Sequence, residues 1–326
     1  MLYCLYMFSQ LLFLLAGFLL LIKGADYLVR GSASLAKTLG ISTLVIGLTI
    51  VSFGTSAPEL VVSMLSAWNG SVDLAVGNIL GSNIANILLI LGIVALIAPL
   101  KVSHGTVWKE IPLALLASLA VILLGYDAVL GFSSPFNIIT RGDGLVLLMF
   151  FVIFLYYTYG VSRLQSENGL EIEHLTKPKA FMWIGFGMIG LVIGGKLIVD
   201  SAVGLVSLFG VSEHLIGVTV IAIGTSLPEL ATSVVAARKK HIDLAVGNLV
   251  GSNIFNVFFI LAATAVVSPL PISDLAIRDS FFVVFVSLLL FFAMFIGKKR
   301  TIDKWQGASF VLLYVLYIIW SALDVV

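Results

Sequence analysis

Two stretches, GTSAPELVVS at 54–63 and GTSLPELATS at 224–233, each set one glutamate behind a Gly-Thr-Ser step and a proline, deep inside an apolar run. Proline lacks the N–H that a continuing helix needs, so a helix entering at Ile41 is expected to break near Thr55 and restart behind Ser56. In a water-soluble protein Ser56 to Glu59 would read as a capping box, hydroxyl and carboxylate satisfying the free N–H groups of a helix start. Here Glu59 and Glu229 stand roughly ten residues from the ends of their runs, where an ionisable group costs about 2.5–3.5 kcal/mol. A cost incurred twice, at equivalent places, calls for a bound positive charge.

The neighbours suggest which charge. GNILGSNIANILLILG at 77–92 and GNLVGSNIFNVFFILA at 247–262 supply Ser82 with Asn86 and Ser252 with Asn256, each pair four apart and so on one helical face. Thr55, Ser56, Thr225 and Ser226 add hydroxyls, and the unwound backbone adds carbonyls. Every donor on offer is oxygen, which suits hard cations such as Ca²⁺ or Na⁺ and not soft metals that take Cys or His. The four histidines, His104, His174, His214 and His241, fall at span ends and read as solvated.

The elements that must hold these residues are membrane helices. Of 326 residues 60% are hydrophobic and 11% charged, with a mean hydropathy of +1.15, far from a soluble domain. Ten apolar runs are long enough to cross a bilayer: 8–30, 41–67, 74–99, 107–125, 144–162, 181–208, 214–237, 244–269, 281–297 and 307–323. No Lys or Arg precedes the first and no small-residue cleavage site closes it, so it reads as a retained span, not a signal peptide. Cys4 is the only cysteine, which excludes an internal disulfide and a cysteine metal cage. Odd-numbered connections carry nearly all the Lys and Arg, whereas the even ones hold only Arg141 and Arg278, so both termini are expected outside.

Shifting the sequence by 170 residues aligns Gly54–Asn86 with Gly224–Asn256 without a gap, with 19 of 33 positions identical. The register extends from Gly24 with Gly194 to Pro99 with Pro269. The chain therefore reads as all-α, with a first five-helix repeat over 1–162, a cytoplasmic connection over 163–179 and a second repeat over 180–326. Five spans are odd, so the second copy enters from the opposite face, giving inverted-topology repeats with broken helices at the midplane. That architecture belongs to secondary transporters.

Other polar positions have structural readings. Gly77 with Gly81 and Gly247 with Gly251 are spaced for close helix packing, and Asn78, Asn83, Asn248 and Asn253 for interhelical hydrogen bonds. Asp73 and Asp243 read as helix caps. Lys23 with Asp26, and Lys196 with Asp200, have the spacing of helical ion pairs.

These motifs resemble the cation/calcium exchanger superfamily, in its bacterial and archaeal sodium/calcium exchanger branch. The two GTS-x-PEL and two GN-x-x-GSN-x-x-N segments are similar to its alpha-1 and alpha-2 repeats, here 54–92 and 224–262, and the likeness spans the chain. The resemblance implies four central cation sites with Glu59 and Glu229 as shared carboxylates, completed by Thr55, Ser56, Thr225, Ser226, Ser82, Asn86, Ser252 and Asn256. Ser52 and Ala222 match positions that lend backbone carbonyls. It also implies that the first and sixth helices slide together to switch access. Members that co-transport potassium carry Asp where this chain has Asn256, so the site reads as potassium-independent. The connection from Arg163 to Lys179 is too short for the calcium-sensing domains of animal exchangers, and its Glu167, Glu171 and Glu173 read as a solvated loop.

The expectation is thus an electrogenic Na⁺/Ca²⁺ antiporter of the prokaryotic inner membrane, exchanging three for one, not an enzyme, with no cofactor, nucleic acid or obligatory partner, acting as a monomer. A phosphate loop of GxxxxGK[ST] form is absent. The rival within transport is a proton/cation antiporter, in which Glu59 or Glu229 releases a proton when metal binds.

Overall fold

A computed structural model describes residues 2–128, 136–162, 175–207 and 222–323. In chain order its helices are α1 (Leu2–Leu39), α2 (Thr43–Thr55), α3 (Ala57–Trp68), α4 (Val72–Ile97), α5 (Thr106–Gly125), α6 (Arg141–Ser162), α7 (Lys177–Ser207), α8 (Ala222–Thr225), α9 (Leu227–Arg238), α10 (Ile242–Val267), α11 (Asp274–Ala293) and α12 (Lys304–Leu323). Seven of these are long and apolar enough to cross a membrane, and α2 with α3, bent by 45°, makes an eighth. The chain is an integral membrane protein. Residues 214–221 of the expected seventh span lie outside the described residues, as do 163–174 with His174 and the three loop glutamates, and also His214.

Two pairs of helices recur with the spacing of the sequence repeat. Ala57–Trp68 recurs as Leu227–Arg238, and Val72–Ile97 as Ile242–Val267, with bounds 170 residues apart. Helices α4 and α10 form the centre, buried over 78% of their apolar windows against 22% for α6. Both widen into a π-helical stretch, Ala85–Ile90 and Asn256–Leu261, starting beside or at the site asparagines. The all-α expectation missed one detail. Four two-residue strands, β1 (Leu100–Lys101), β2 (Ile138–Ile139), β3 (Leu270–Pro271) and β4 (Thr301–Ile302), clasp the connections as antiparallel pairs β1–β4 and β2–β3. They pair backbone groups that side-chain hydropathy does not report.

Helices α1 and α7 meet along a seam of small residues seven apart, Gly17, Gly24 and Gly31 against Ala180, Gly187 and Gly194. A Cβ added at Gly187 would stand 2.6 Å from the Leu28 amide nitrogen, and one at Gly194 2.7 Å from that of Leu21. Only glycine permits this approach, and the backbones touch directly.

Several structural readings are corrected. Asp26 pairs not with Lys23 but with Arg30, 3.6 Å away, and with Lys239 beyond α9, 2.8 Å away, because packing of α1 on α9 brings a shorter-range cation. Lys196 and Asp200 form no ion pair among the described residues. Ser71 and His241, not Asp73 and Asp243, occupy the N-cap positions of α4 and α10, and the aspartates sit within the first turn, where they favour the positive helix end. Among the described residues the glycine spacing packs tightly in α10 and meets no neighbour in α4. A Cβ at Gly247 would lie 2.7 Å from the Leu44 carbonyl oxygen and one at Gly251 2.3 Å from Ser52 Oγ, whereas at Gly77 and Gly81 it meets no described atom within 4 Å.

Candidate functional site

Two broken helices position the centre. Helix α2 ends at Thr55 and α3 starts at Ala57, with Ser56 between them at φ −84°, ψ 8°; Ser226 repeats this between α8 and α9 at φ −86°, ψ 2°. Pro58 and Pro228 sit in the first turn of the restarting helices, where their missing N–H costs nothing. The break falls where the sequence placed it, but the capping box does not form. Neither serine makes a side-chain cap.

Instead the hydroxyls cross to the other half. Ser56 Oγ donates to Glu229 Oε1 at 2.9 Å and lies 3.0 Å from Ser252 Oγ, while Ser226 Oγ reaches Ser82 Oγ at 3.5 Å. Ser82 donates to Glu59 Oε1 at 3.4 Å and Ser252 to Glu229 Oε1 at 3.5 Å. Both carboxylates are 1% exposed. Thus α3 and α9 contribute the charges, and α4 and α10 the hydroxyls beside them.

Thr55 donates to Asn248 Oδ1 at 3.1 Å, and Thr225 to Asn78 Oδ1 at 3.3 Å. The Asn78 and Asn248 amides in turn donate to Ser63 and Ser233, at 3.0 and 3.1 Å. Asn86 Nδ2 donates to Asn253 Oδ1 at 3.0 Å, and Asn256 Nδ2 to Asn83 Oδ1 at 2.9 Å. The interhelical reading of Asn78, Asn83, Asn248 and Asn253 is therefore what the structure contains: they are braces. Ser63 and Ser233 went unnoticed in the sequence, although they close the two repeated ten-residue stretches.

Four buried oxygens in this cluster have no hydrogen-bond partner among the described residues: Glu59 Oε2, Glu229 Oε2, Asn86 Oδ1 and Asn256 Oδ1. Each asparagine amide is held by its brace, so its oxygen faces away from that contact. An unpaired buried acceptor costs about 1–3 kcal/mol, more when charged, and four in one cluster are the donor set a hard cation takes. No cluster of three or more His, Cys, Asp or Glu exists among the described residues, so the oxygens are mostly neutral. Ser52 donates its hydroxyl to the Gly47 carbonyl at 2.7 Å, and its own carbonyl accepts the Ser56 amide at 2.9 Å. Ala222 opens helix α8. His104 and His241 stand at helix starts, away from the centre.

Comparison with known proteins finds likenesses over most of the chain. The model of the family described as sodium/calcium exchanger protein matches residues 9–160 and 179–323. Inner membrane protein YrbG of Escherichia coli is 39% identical over 300 residues, covering 89% of this chain and 88% of that protein. Sodium/calcium exchanger MaX1 of Methanosarcina acetivorans is 30% identical over 321 residues, covering 88% and 91%. A solved structure of the sodium-calcium exchanger NCX_Mj, soaked with 10 mM Na⁺ and zero Ca²⁺, superposes with a TM-score of 0.81 at 31% identity, covering 96% of this chain and 99% of that one.

Proposed function

Because the chain belongs to the sodium/calcium exchanger protein family, in its bacterial and archaeal branch, we propose that it is a secondary antiporter exchanging Na⁺ for Ca²⁺ at Glu59 and Glu229. The observation that carries this reading is the set of four buried oxygens on Glu59, Glu229, Asn86 and Asn256 that have no hydrogen-bond partner among the described residues. Thr55, Ser56, Ser82, Thr225, Ser226 and Ser252 complete the ligand set, with backbone carbonyls of Ser52 and Ala222.

Two ionised glutamates supply a charge of −2. One Ca²⁺ neutralises it and three Na⁺ leave +1, so exchange at three to one is electrogenic. Asparagine at both 86 and 256 leaves no third carboxylate, and the site needs no K⁺. Na⁺ and Ca²⁺ compete for overlapping oxygens, and only occupied states switch. Access alternates as the α1/α7 pair moves against the remaining helices. The count of ten spans follows if α8 and α9 belong to one crossing and α12 is another; the halves 1–162 and 180–326 are then inverted five-helix repeats with both termini outside the inner membrane. One chain carries a whole site, so the unit is a monomer.

The test is uptake of labelled Ca²⁺ into proteoliposomes preloaded with Na⁺, against K⁺-loaded and pH-gradient controls, for wild type and Glu59→Gln. Uptake driven by the outward Na⁺ gradient and lost in the variant supports the reading. Uptake driven by a proton gradient, with Na⁺ inert, replaces it with proton-coupled cation antiport.

A further inference from the structure

A hydroxyl carries one proton, and where that proton goes decides what the oxygen offers a cation. A threonine that donates to a neighbour keeps its lone pairs for the ion, whereas one that accepts from a neighbour has a lone pair taken and a proton still to place. The direction of the hydrogen bonds behind Thr55 and Thr225 is therefore part of the chemistry of the site.

Behind Thr225 that direction is fixed. Ser63, fully buried one turn after Glu59 on α3, donates its proton to the Ala75 carbonyl at 3.3 Å. Its oxygen is left to accept, and it accepts from Asn78 Nδ2 at 3.0 Å. The Glu59 carbonyl, which has no proton to give, stands 3.4 Å from the same nitrogen. Two acceptors on one side hold the amide nitrogen there and turn Asn78 Oδ1 to the other, where Thr225 donates to it at 3.3 Å. A carboxamide turned round would set Oδ1 against two oxygens with no proton for it.

Behind Thr55 the same chain lacks its anchor. Ser233 accepts from Asn248 Nδ2 at 3.1 Å, and Asn248 Oδ1 accepts from Thr55 at 3.1 Å. Among the described residues Ser233 donates to no carbonyl and Asn248 Nδ2 has no second acceptor. The reverse arrangement satisfies every group as well: Ser233 donates to Oδ1, Nδ2 donates to Thr55, and the Thr55 proton passes to the Ser52 carbonyl, 3.4 Å away.

We propose that Ser63 is a positioning residue for the cation site. Through Asn78 it holds Thr225 as an acceptor, so one of the two threonine ligands is set before an ion arrives and the other, Thr55, is not. This rests on the reading of Thr55 and Thr225 as ligands given above. Without Ser63, Asn78 keeps only the longer contact to the Glu59 carbonyl, its amide turns, and a Thr225 lone pair is lost to it.

A double-mutant cycle tests this, read by isothermal titration of Ca²⁺ into the purified full chain. One hydrogen bond is worth roughly two- to twelve-fold in an equilibrium, so Ser63→Ala should weaken Ca²⁺ binding about ten-fold, and Thr225→Val at least as much. The double variant should bind no more weakly than Thr225→Val alone, because a serine that acts through the threonine hydroxyl has nothing left to do once that hydroxyl is gone. Ser233→Ala should cost about three-fold. A serine that only packs α3 against α4 would give the same loss in both backgrounds, which overturns the proposal. Unchanged affinity in Ser63→Ala, or an equal loss in Ser233→Ala, overturns it too. Melting temperatures check folding, and Ser63→Cys, which keeps the volume with a poor acceptor, repeats the cycle if the alanine variant unfolds. Glu59→Gln separates the two readings. If it leaves Ca²⁺ binding unchanged, the site and this role fall together; if it weakens binding while Ser63→Ala does not, only the positioning role falls.

Discussion

Glu59→Gln separates charge from shape. Glutamine keeps the volume and an oxygen that accepts the Ser82 hydroxyl, now 3.4 Å from Glu59 Oε1, so the fold should survive. What is lost is one of two charges. At an effective dielectric of about 20, a unit charge about 4 Å away is worth roughly 4 kcal/mol to a monovalent ion and twice that to a divalent one. Relief from desolvating the carboxylate cancels part of it. Removing one partner of a buried charge pair costs about 3–5 kcal/mol, which is the scale expected for Ca²⁺, a loss of roughly 150- to 5,000-fold in affinity. Sodium, with half the charge, should lose about half the free energy, or roughly 10- to 70-fold. Isothermal titration of both ions into purified wild type and variant reads the two losses, with the melting temperature as a check on folding. Equal losses for Na⁺ and Ca²⁺ would show that the carboxylate acts by shape, and unchanged affinities in a folded variant would remove Glu59 from the site.

Three further outcomes test neighbouring steps. Asn256→Asp makes the cluster −3, so the three-Na⁺ form becomes neutral and the Ca²⁺ form carries −1; charge displacement on a solid-supported membrane should move from the Na⁺ half-cycle to the Ca²⁺ half-cycle. Ser56→Ala removes the donor 2.9 Å from Glu229 Oε1 together with one ligand oxygen, and a charge-assisted hydrogen bond is worth about 1.5–3 kcal/mol, so Ca²⁺ binding by titration should weaken roughly ten-fold or more. Gly187→Val forces a side chain against the Leu28 amide, at an overpacking cost of about 1–3 kcal/mol, and should lower the melting temperature, whereas Gly160→Ala, with nothing within 4 Å, should not.

The broken helices were legible in the sequence because proline and a Gly-Thr-Ser step act locally, and the repeat because two copies of one segment keep their spacing. The identity of each hydrogen-bond partner was not. Nothing in SAPE tells whether Ser56 caps its own helix or reaches Glu229, 173 residues away; that depends on how α3 meets α9 and α10. The same limit explains Asp26, for which sequence offers Lys23 within one turn while folding brings Lys239 to 2.8 Å. The seam of α1 and α7 was half visible, since Gly24 and Gly194 had been aligned as repeat equivalents, but their role as contacts between the two helices needs three dimensions.

That seam has a mechanical meaning. Side chains absorb a small displacement by changing rotamer; backbone pressed on backbone at seven-residue intervals has nothing to yield. Helices α1 and α7 therefore behave as a single stiff beam with one way to move. Under the exchange proposed above, a beam that swings clear of the centre at one mouth leans into it at the other. A passage open at both ends would require the beam to bend, so protection against ion leak is built into its stiffness.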